Sequence, residues 1–372
     1  MIMRRHKLTN IEITILGVIG AACVAASYFT LEDKAVSDES VLIRAAKKTQ
    51  EAYRVIRESR MATGIPVDSI DDPAGSGLIG VASSSITTDP GDLEAKQTSI
   101  NPNWAAVVVR YLEQAGVRPG ECVAVGMTGS FPALNAAVLV GVQEFGARPI
   151  WIVSEGASTY GANMPAFTWL DMEQALYQKG IITGRALGAS LGGNNNIGGG
   201  LPADGRDSLR LAIKRCGIPL IETQPLSSSI DLGMAQFKHA AGGNRIALYI
   251  NVGGGLASLG TSQVSQILHS GLNPPKVLLD IQDEPVQGYA ARFMKDGLQV
   301  FNVLDIVPLA HANKLPIAPA VTPEAGRGEL FVAPIYCLWK IALLLAAYSA
   351  IVLAFAYGLT DILLKNPRKE ML

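Results

Sequence analysis

Charge is scarce in this chain, and neither sign dominates. Charged residues make up 17% of the 372, with 31 Lys and Arg against 32 Asp and Glu, a net charge of −1. A surface that binds nucleic acid through its phosphates leaves a basic excess, so nucleic acid is excluded as a principal partner. Histidine is rarer still. His6, His239, His269 and His311 are scattered, with no H-E-x-x-H string and no cysteine cluster, so no metal centre is expected. The four cysteines set up no disulfide framework: Cys23 and Cys337 fall in or beside apolar segments, and Cys122 and Cys216 read as two buried thiols, with a bridge between them outside the cytoplasm as the alternative. No cofactor is expected either, because the glycines at 253–255 lack the usual G-x-G-x-x-G spacing.

What is plentiful is apolar side chain, 49% of the residues, and the surplus sits at the two ends. Residues 11–30, IEITILGVIGAACVAASYFT, hold one charge, Glu12, at their edge. At about 1.5 Å per residue such a run is about 30 Å long, the thickness of a bilayer's hydrocarbon core. Residues 341–364 form a second run, broken only by Asp361. Both read as transmembrane helices. Arg4, Arg5, His6 and Lys7 precede the first, and Lys365, Arg368 and Lys369 follow the second. Short flanks rich in Lys and Arg stay in the cytoplasm. The expectation is therefore a cell-membrane protein with both termini (1–10 and 365–372) cytoplasmic and the domain at 65–333 outside. Lys340, at the entrance to the second span, can snorkel to the interface. Ala25, Ala26 and Ser27 allow a rival reading of the first span as a cleaved signal peptide, which still leaves the second span as an anchor.

Between the spans, residues 37–64 read as an amphipathic helix. Leu42, Ala45, Thr49, Tyr53 and Ile56 recur at helical steps, and Arg44, Lys47, Lys48, Glu51, Arg54, Arg57 and Glu58 cover the other faces. Packing on its own domain is the default, with a stalk or an oligomer contact as alternatives. The stretch 65–103 is too long for a bare connector, so it is partly structured or functional. Asp92 and Lys96 within it read as an exposed i, i+4 pair. Beyond Trp104 helices and strands alternate: helices at 104–115, 131–145, 170–179, 208–216, 230–240, 262–269 and 286–295, and strands at 122–125, 150–153, 220–221, 246–251 and 300–303, before a short helix to Ala312. Such alternation predicts an α/β fold, a Rossmann-like, mostly parallel sheet with helices on both faces. The passages ECVAVGMTGSFPALNAAVLVGVQEFG and NRIALYINVGGGLASLGTSQVSQILHSG share an order of strand, glycine turn and helix. They fit two related halves, about 104–200 and 204–320, or two generic crossover units.

Open parallel sheets bind ligands beyond the carboxyl ends of their strands. The turn at 126–132 offers Thr128, Gly129 and Ser130, with Ser130 expected to cap the next helix and Pro132 in its first turn. Free amides at that helix start suit a carboxylate or phosphate. Ser130 does not stand in a G-x-S-x-G string, so a nucleophile elbow is not indicated there. The turn after the fourth strand offers Asn251, Gly253 and Gly254. The densest polar loop is 154–173, SEGASTYGANMPAFTWLDME, which gathers Ser158, Tyr160, Asn163, Asp171 and Glu173 and is the best single candidate. Thr168 and Asp171 are a plausible capping pair for the helix that follows. The glycine- and asparagine-rich 191–200 reads as a mobile loop.

The runs TGSFPALNAAV, SEGASTYGANMPAFTWLDME and INVGGGLASLG, lying between one span at each end, together resemble the poly-γ-glutamate system protein family, as does ITTDPGDLEAKQTSINPNWAA upstream. The resemblance extends over about 42–336 and both spans. It implies an accessory membrane subunit of the machinery that makes or exports the anionic polymer, with the synthase's membrane subunits, the polymer and the membrane as partners. The ATP-dependent ligase of that machinery is a separate polypeptide at the cytoplasmic face. The resemblance implies a pathway and assigns no catalytic residue. Two alternatives stand beside it: a hydrolase or transferase acting on the polymer's γ-amide, with Ser130 or Ser158 as nucleophile, and a pure scaffold. The first strand, turn and helix are also similar to a sugar-phosphate isomerase domain, a likeness of fold only.

Overall fold

The computed structural model describes residues 7–35, 37, 40–260, 267–276 and 286–357. The chain divides into a terminal unit, made of its two ends, and a central unit, residues 37–331.

In the terminal unit, helix α1 (Asn10–Ser27) continues as a 3-10 turn to Thr30, and a second helix spans Leu338–Ala356. Both are long and apolar enough to cross a membrane, at 21 and 19 residues. Glu12 is explained by a capping box, its carboxylate accepting from the backbone of Thr9 at 2.7 Å. Strand β1 (Leu31–Ala35) pairs antiparallel with Val332–Tyr336, and Lys340 donates to Glu32 at 2.6 Å instead of standing free. Where the two apolar helices touch, the Tyr348 hydroxyl donates to the Leu16 carbonyl at 3.3 Å. A Cβ on Gly20 would sit 3.1 Å from that hydroxyl oxygen. The second helix starts three residues before the expected 341; its expected end at 364, and the flanking Arg4, Arg5, His6, Lys365, Arg368 and Lys369, lie outside the described residues.

The central unit begins with α2 (Val41–Ala62), capped by the Ser40 hydroxyl, and continues through α3 (Leu93–Ser99) and α4 (Trp104–Gln114). Then come β2 (Cys122–Thr128), α5 (Pro132–Glu144), β3 (Arg148–Ser154), α6 (Trp169–Gln178) and β4 (Gly188–Ser190). A small ribbon, β5 (Gly192–Gly193) with β6 (Ile197–Gly199), leads to α7 (Ala203–Arg215) and α8 (Leu226–Ala241). The last elements are β7 (Ile246–Val252), α9 (Leu256–Leu259), β8 (Gly271–Asn273), α10 (Tyr289–Lys295), β9 (Gln299–Val303) and α11 (Ile306–Ala312).

Six strands form one sheet in the order β4-β3-β2-β7-β9-β8, parallel throughout except for β8, which runs antiparallel to β9. Strand β2 is buried at every position, as a strand covered on both faces must be. Alternation assigns its residues to two layers. Cys122 and Ala124, with Ile150, Ile152, Tyr249 and Val300, pack against Ile230 and Phe237 of α8 and Tyr289 and Phe293 of α10. On the other face α5 lies on β2 and β3, and the Trp151 indole reaches Glu173 of α6 at 3.0 Å. The expected mostly parallel sheet with helices on both faces is present. The 37–64 helix takes its default place: Ile43, Ala46, Tyr53 and Ile56 of α2 are buried, and the helix packs on α4, α5 and α6.

Several expected boundaries move. Strand β2 runs three residues past 125, so Gly126, Met127 and Thr128 belong to the strand and not to a turn. The strand expected at 220–221 is only an isolated bridge from Leu220 to Ala189, and the edge strand is β4. Its Gly-Ala-Ser sequence holds no apolar run for periodicity to find, and neither does the Gly-Leu-Asn of β8. Most of the helix expected at 262–269 lies outside the described residues. The turn after β7 opens only the single helical turn α9, ended by Gly260 at φ 77°. Strand order reverses between β2 and β7: the chain steps outward from β2 to β3 and β4, then returns to lay β7 along the other side of β2. A crevice is expected beyond the carboxyl ends at such a reversal.

Candidate functional site

A cavity of about 670 Å³ opens at that place. Thr128 and Ser130 come to it from the end of β2, Ser154 from β3, Gly254 and Gly255 from the turn after β7, and 304–308 from the segment after β9. The remaining wall comes from the long stretch before the sheet: Thr88, Asp89, Asp92 and Lys96 all line it.

That wall is tied to the loop 155–163 by backbone pairing. Thr88 N–H donates to the Ala157 carbonyl at 2.9 Å, Thr159 N–H to the Asp89 carbonyl at 3.0 Å, and Gly91 N–H to the Thr159 hydroxyl at 2.6 Å. Asn163 is the bracket behind it. Fully buried, it accepts from Val81 N–H at 2.9 Å and donates to the Val81 carbonyl at 2.7 Å and the Thr87 hydroxyl at 3.0 Å. Tyr160, at φ 61°, likewise pairs its N–H with the Val81 carbonyl. Neither side chain lines the cavity.

Lys96 departs most from expectation. It is 2% exposed, not part of a surface pair. Its Nζ donates to Ser158 Oγ at 2.9 Å and to the Ser130 carbonyl, and lies 3.8 Å from the centre of the Phe131 ring. Burial lowers its pKa to about 7, against the opposing pull of Asp92. Asp92 instead caps α3, accepting from Glu94 N–H at 3.0 Å. Ser130 does not cap α5, whose N-cap is Phe131; Pro132 does take the first turn. The Ser130 hydroxyl accepts from Ser158 N–H at 3.0 Å, so α3 and the turns after β2 and β3 meet at one point.

Other expected site residues prove to be supports. Asp171 accepts from the Thr168 backbone and hydroxyl, as the capping reading required, and pairs with Arg215 Nε at 2.8 Å. Glu173 is buried beneath the sheet, accepting from Trp151, Arg185 and Ala186. Glu155 is fully buried as well. It accepts from Leu170 N–H at 3.0 Å, and burial, reinforced by Asp171 and Glu173, raises its pKa to about 8. Asn251 closes the turn after β7, donating to the Gly253 carbonyl and to Asn302 and accepting from Ser258. Gly253 has φ 86°, and a Cβ there would sit 2.3 Å from the Thr128 hydroxyl. A Cβ on Gly129 would meet the Glu155 carbonyl at 2.5 Å. Glycine at both positions lets the backbone approach closely.

Of the expected site residues, Thr128, Ser130, Ser158 and Gly254 therefore line the cavity, Gly129 and Gly253 shape it, Tyr160, Asn163 and Asn251 brace the segments around it, and Asp171 and Glu173 tie α6 to other parts of the fold. Lys96, Ser154, Asp89 and Asp305 line it without having been expected. The one signal for Lys96 was the length of 65–103. A G-x-S-x-G string does occur at 188–192, but Ser190 is buried in β4 with its hydroxyl on Asn196 at 2.6 Å, so it forms no elbow. Cys122 and Cys216 are buried and free.

Fold and site define an α/β protein with a hydroxyl-lined, ligand-sized cavity at the strand-order reversal, in a chain that also carries two apolar helices. No protein-family model, no curated protein and no solved structure matches the chain.

Proposed function

We propose that this chain is a membrane-anchored accessory subunit of poly-γ-glutamate synthesis or export, and that its central domain, Rossmann-like and outside the cytoplasm, holds a segment of the polymer in the cavity. The observation that carries this reading is the cavity itself, lined by Thr128, Ser130, Ser154 and Ser158 at the carboxyl edge of the sheet. The reversal of strand order beside β2 supports the Rossmann-like description. The basic flanks support cytoplasmic termini. The helix Leu338–Ala356, with no buried residue in the chain, suits contact with membrane subunits of the synthase.

Charge decides how a polyanion would sit. Asp89, Asp92 and Asp305 are exposed around the cavity, and Lys96 is its one basic residue among the described residues. The floor hydroxyls would therefore meet the polymer's neutral backbone amides, with its carboxylates held out past the acidic rim. Asp89→Asn combined with Asp305→Asn is expected to tighten poly-γ-glutamate binding about two- to fivefold at low ionic strength. Screening should shrink the gain in about 0.5 M salt. Titration calorimetry on the detergent-solubilised chain would measure both, and unchanged or weaker binding places the polymer elsewhere.

In cells that carry this protein, deletion is expected to lower polymer output severalfold. Wild type should restore it, and Ser130→Ala with Ser158→Ala should not, although the variant inserts normally. Full restoration by the double variant removes the cavity from the function and leaves a scaffold. An enzymatic reading is favoured by one contact, that between Ser158 and Lys96.

A further inference from the structure

Ser158 Oγ and Lys96 Nζ are 2.9 Å apart on the wall of the cavity. Lys96 is fixed from two further sides, by the Ser130 carbonyl and by the face of the Phe131 ring. Ser158 is half-buried, and its own N–H is held by Ser130 Oγ at 3.0 Å. Both residues line the cavity, so serine and base stand together at the space a ligand would fill. A nucleophile, a base within hydrogen-bond reach and a third group orienting the base are the parts that serine–lysine hydrolases use.

We propose that Ser158 and Lys96 form a catalytic dyad for acyl transfer on an amide or ester carbonyl seated in the cavity. The proposal shares the cavity with the polymer-binding reading but does not depend on the polymer's identity. Lysine is a base only when neutral. The charge acting on this one is Asp92, on its own helix, which favours the ammonium form; Asp89 and Asp305 line the same cavity. Burial outweighs the pull of Asp92, so that most of the population is neutral by pH 8.

The chemistry balances without any further reactant but water. Ser158 Oγ attacks the carbonyl carbon while its proton passes to Lys96 Nζ. The C–N or C–O bond of the leaving group breaks, and the leaving group takes that proton. Water then attacks the Ser158 ester, giving one proton to Lys96, which returns it to Oγ as the acid departs. With an amine in place of water, the same steps transfer the acyl group.

The test uses the full chain in detergent and an alkyl fluorophosphonate, with no polymer present. Ser158 Oγ would bond to phosphorus, fluoride would leave, and Lys96 would take the proton. The expected result is an adduct at Ser158, mapped by peptide mass spectrometry, in folded but not heat-denatured protein. Its rate should rise roughly tenfold per pH unit below about 7 and level off above, as neutral lysine accumulates. Ser158→Ala should abolish the adduct, and Lys96→Met should slow it at least ~100-fold at pH 8. A lysine that merely braces α3 against the loop leaves Ser158 as inert as a surface serine. Absence of an adduct on folded wild type at pH 8 overturns the dyad, as does a Lys96→Met variant labelled at the wild-type rate. If Lys96→Met does not fold, the wild-type profile decides, a flat rate between pH 6 and 8 being the contrary result. Labelling without an effect on polymer leaves the dyad and removes the polymer reading; polymer binding without labelling does the reverse.

Discussion

Glu155→Gln is expected to raise the stability of the central unit, by an amount that grows with pH. Glu155 is fully buried with one oxygen on Leu170 N–H, and its pKa is raised from 4.5 to about 8, chiefly by burial. Below pH 4.5 the carboxyl is protonated in both the folded and the unfolded chain, so the substitution changes little there. Between 4.5 and about 8 the unfolded chain ionises while the folded chain keeps its proton. Wild-type stability therefore falls as pH rises through that window and stays low above it. Glutamine copies the shape of the protonated acid and has no such proton to lose. At about 1.4 kcal/mol per pKa unit the gain at pH 8 is at most roughly 4–5 kcal/mol, or about 10 °C in melting temperature. Thermal melts of both proteins at pH 5 and pH 8 check this. Parallel curves at the two pH values would show that Glu155 ionises normally.

The second large effect sets local preference against packing. Gly205 lies in the first turn of α7, where helix propensity favours alanine by about 1 kcal/mol. A Cβ there would sit 1.8 Å from the Ser85 carbonyl oxygen and 2.7 Å from its carbon. Both are backbone atoms, and they belong to the segment that pairs Thr87 with Ala157 and brings Thr88 to the cavity wall. Gly205→Ala must push the helix or that segment aside, so the expected outcome is a net loss of about 2 kcal/mol or more, roughly 4 °C in melting temperature. Fluorophosphonate labelling of Ser158 should weaken in step, because the displaced segment leads into α3. A variant that melts higher than wild type would mean that this close approach does not exist.

Legibility tracked how locally each feature is encoded. The apolar ends, the helix α2, the strands β2, β3, β7 and β9 and the capping pair Thr168–Asp171 each rest on neighbours within a few residues. Periodicity or a short string suffices for those. The edge strands β4 and β8 were missed because a three-residue strand of small residues holds no apolar pattern. Their pairing is set by the strand beside them. In the 154–173 loop, polar density marked the right neighbourhood but not the roles. Ser158 faces the cavity, while Asn163, Asp171 and Glu173 turn their hydrogen-bonding groups toward backbone, arginine and indole.

From its sequence alone this protein is an α/β chain with an apolar helix near each end and a mostly parallel sheet between, because hydrophobic run length and alternation are properties of consecutive residues. Only the tertiary structure decided the site. Lys96 stands in a short helix whose sequence looks like surface, and its burial depends on Ser130, Phe131 and Ser158, residues 34 to 62 positions further along the chain. No local pattern encodes a contact made by folding α3 over the ends of β2 and β3. That contact turns an ordinary lysine into a buried, hydrogen-bonded amine beside a serine hydroxyl, because the desolvation it suffers belongs to the packed sheet and not to the segment that carries it.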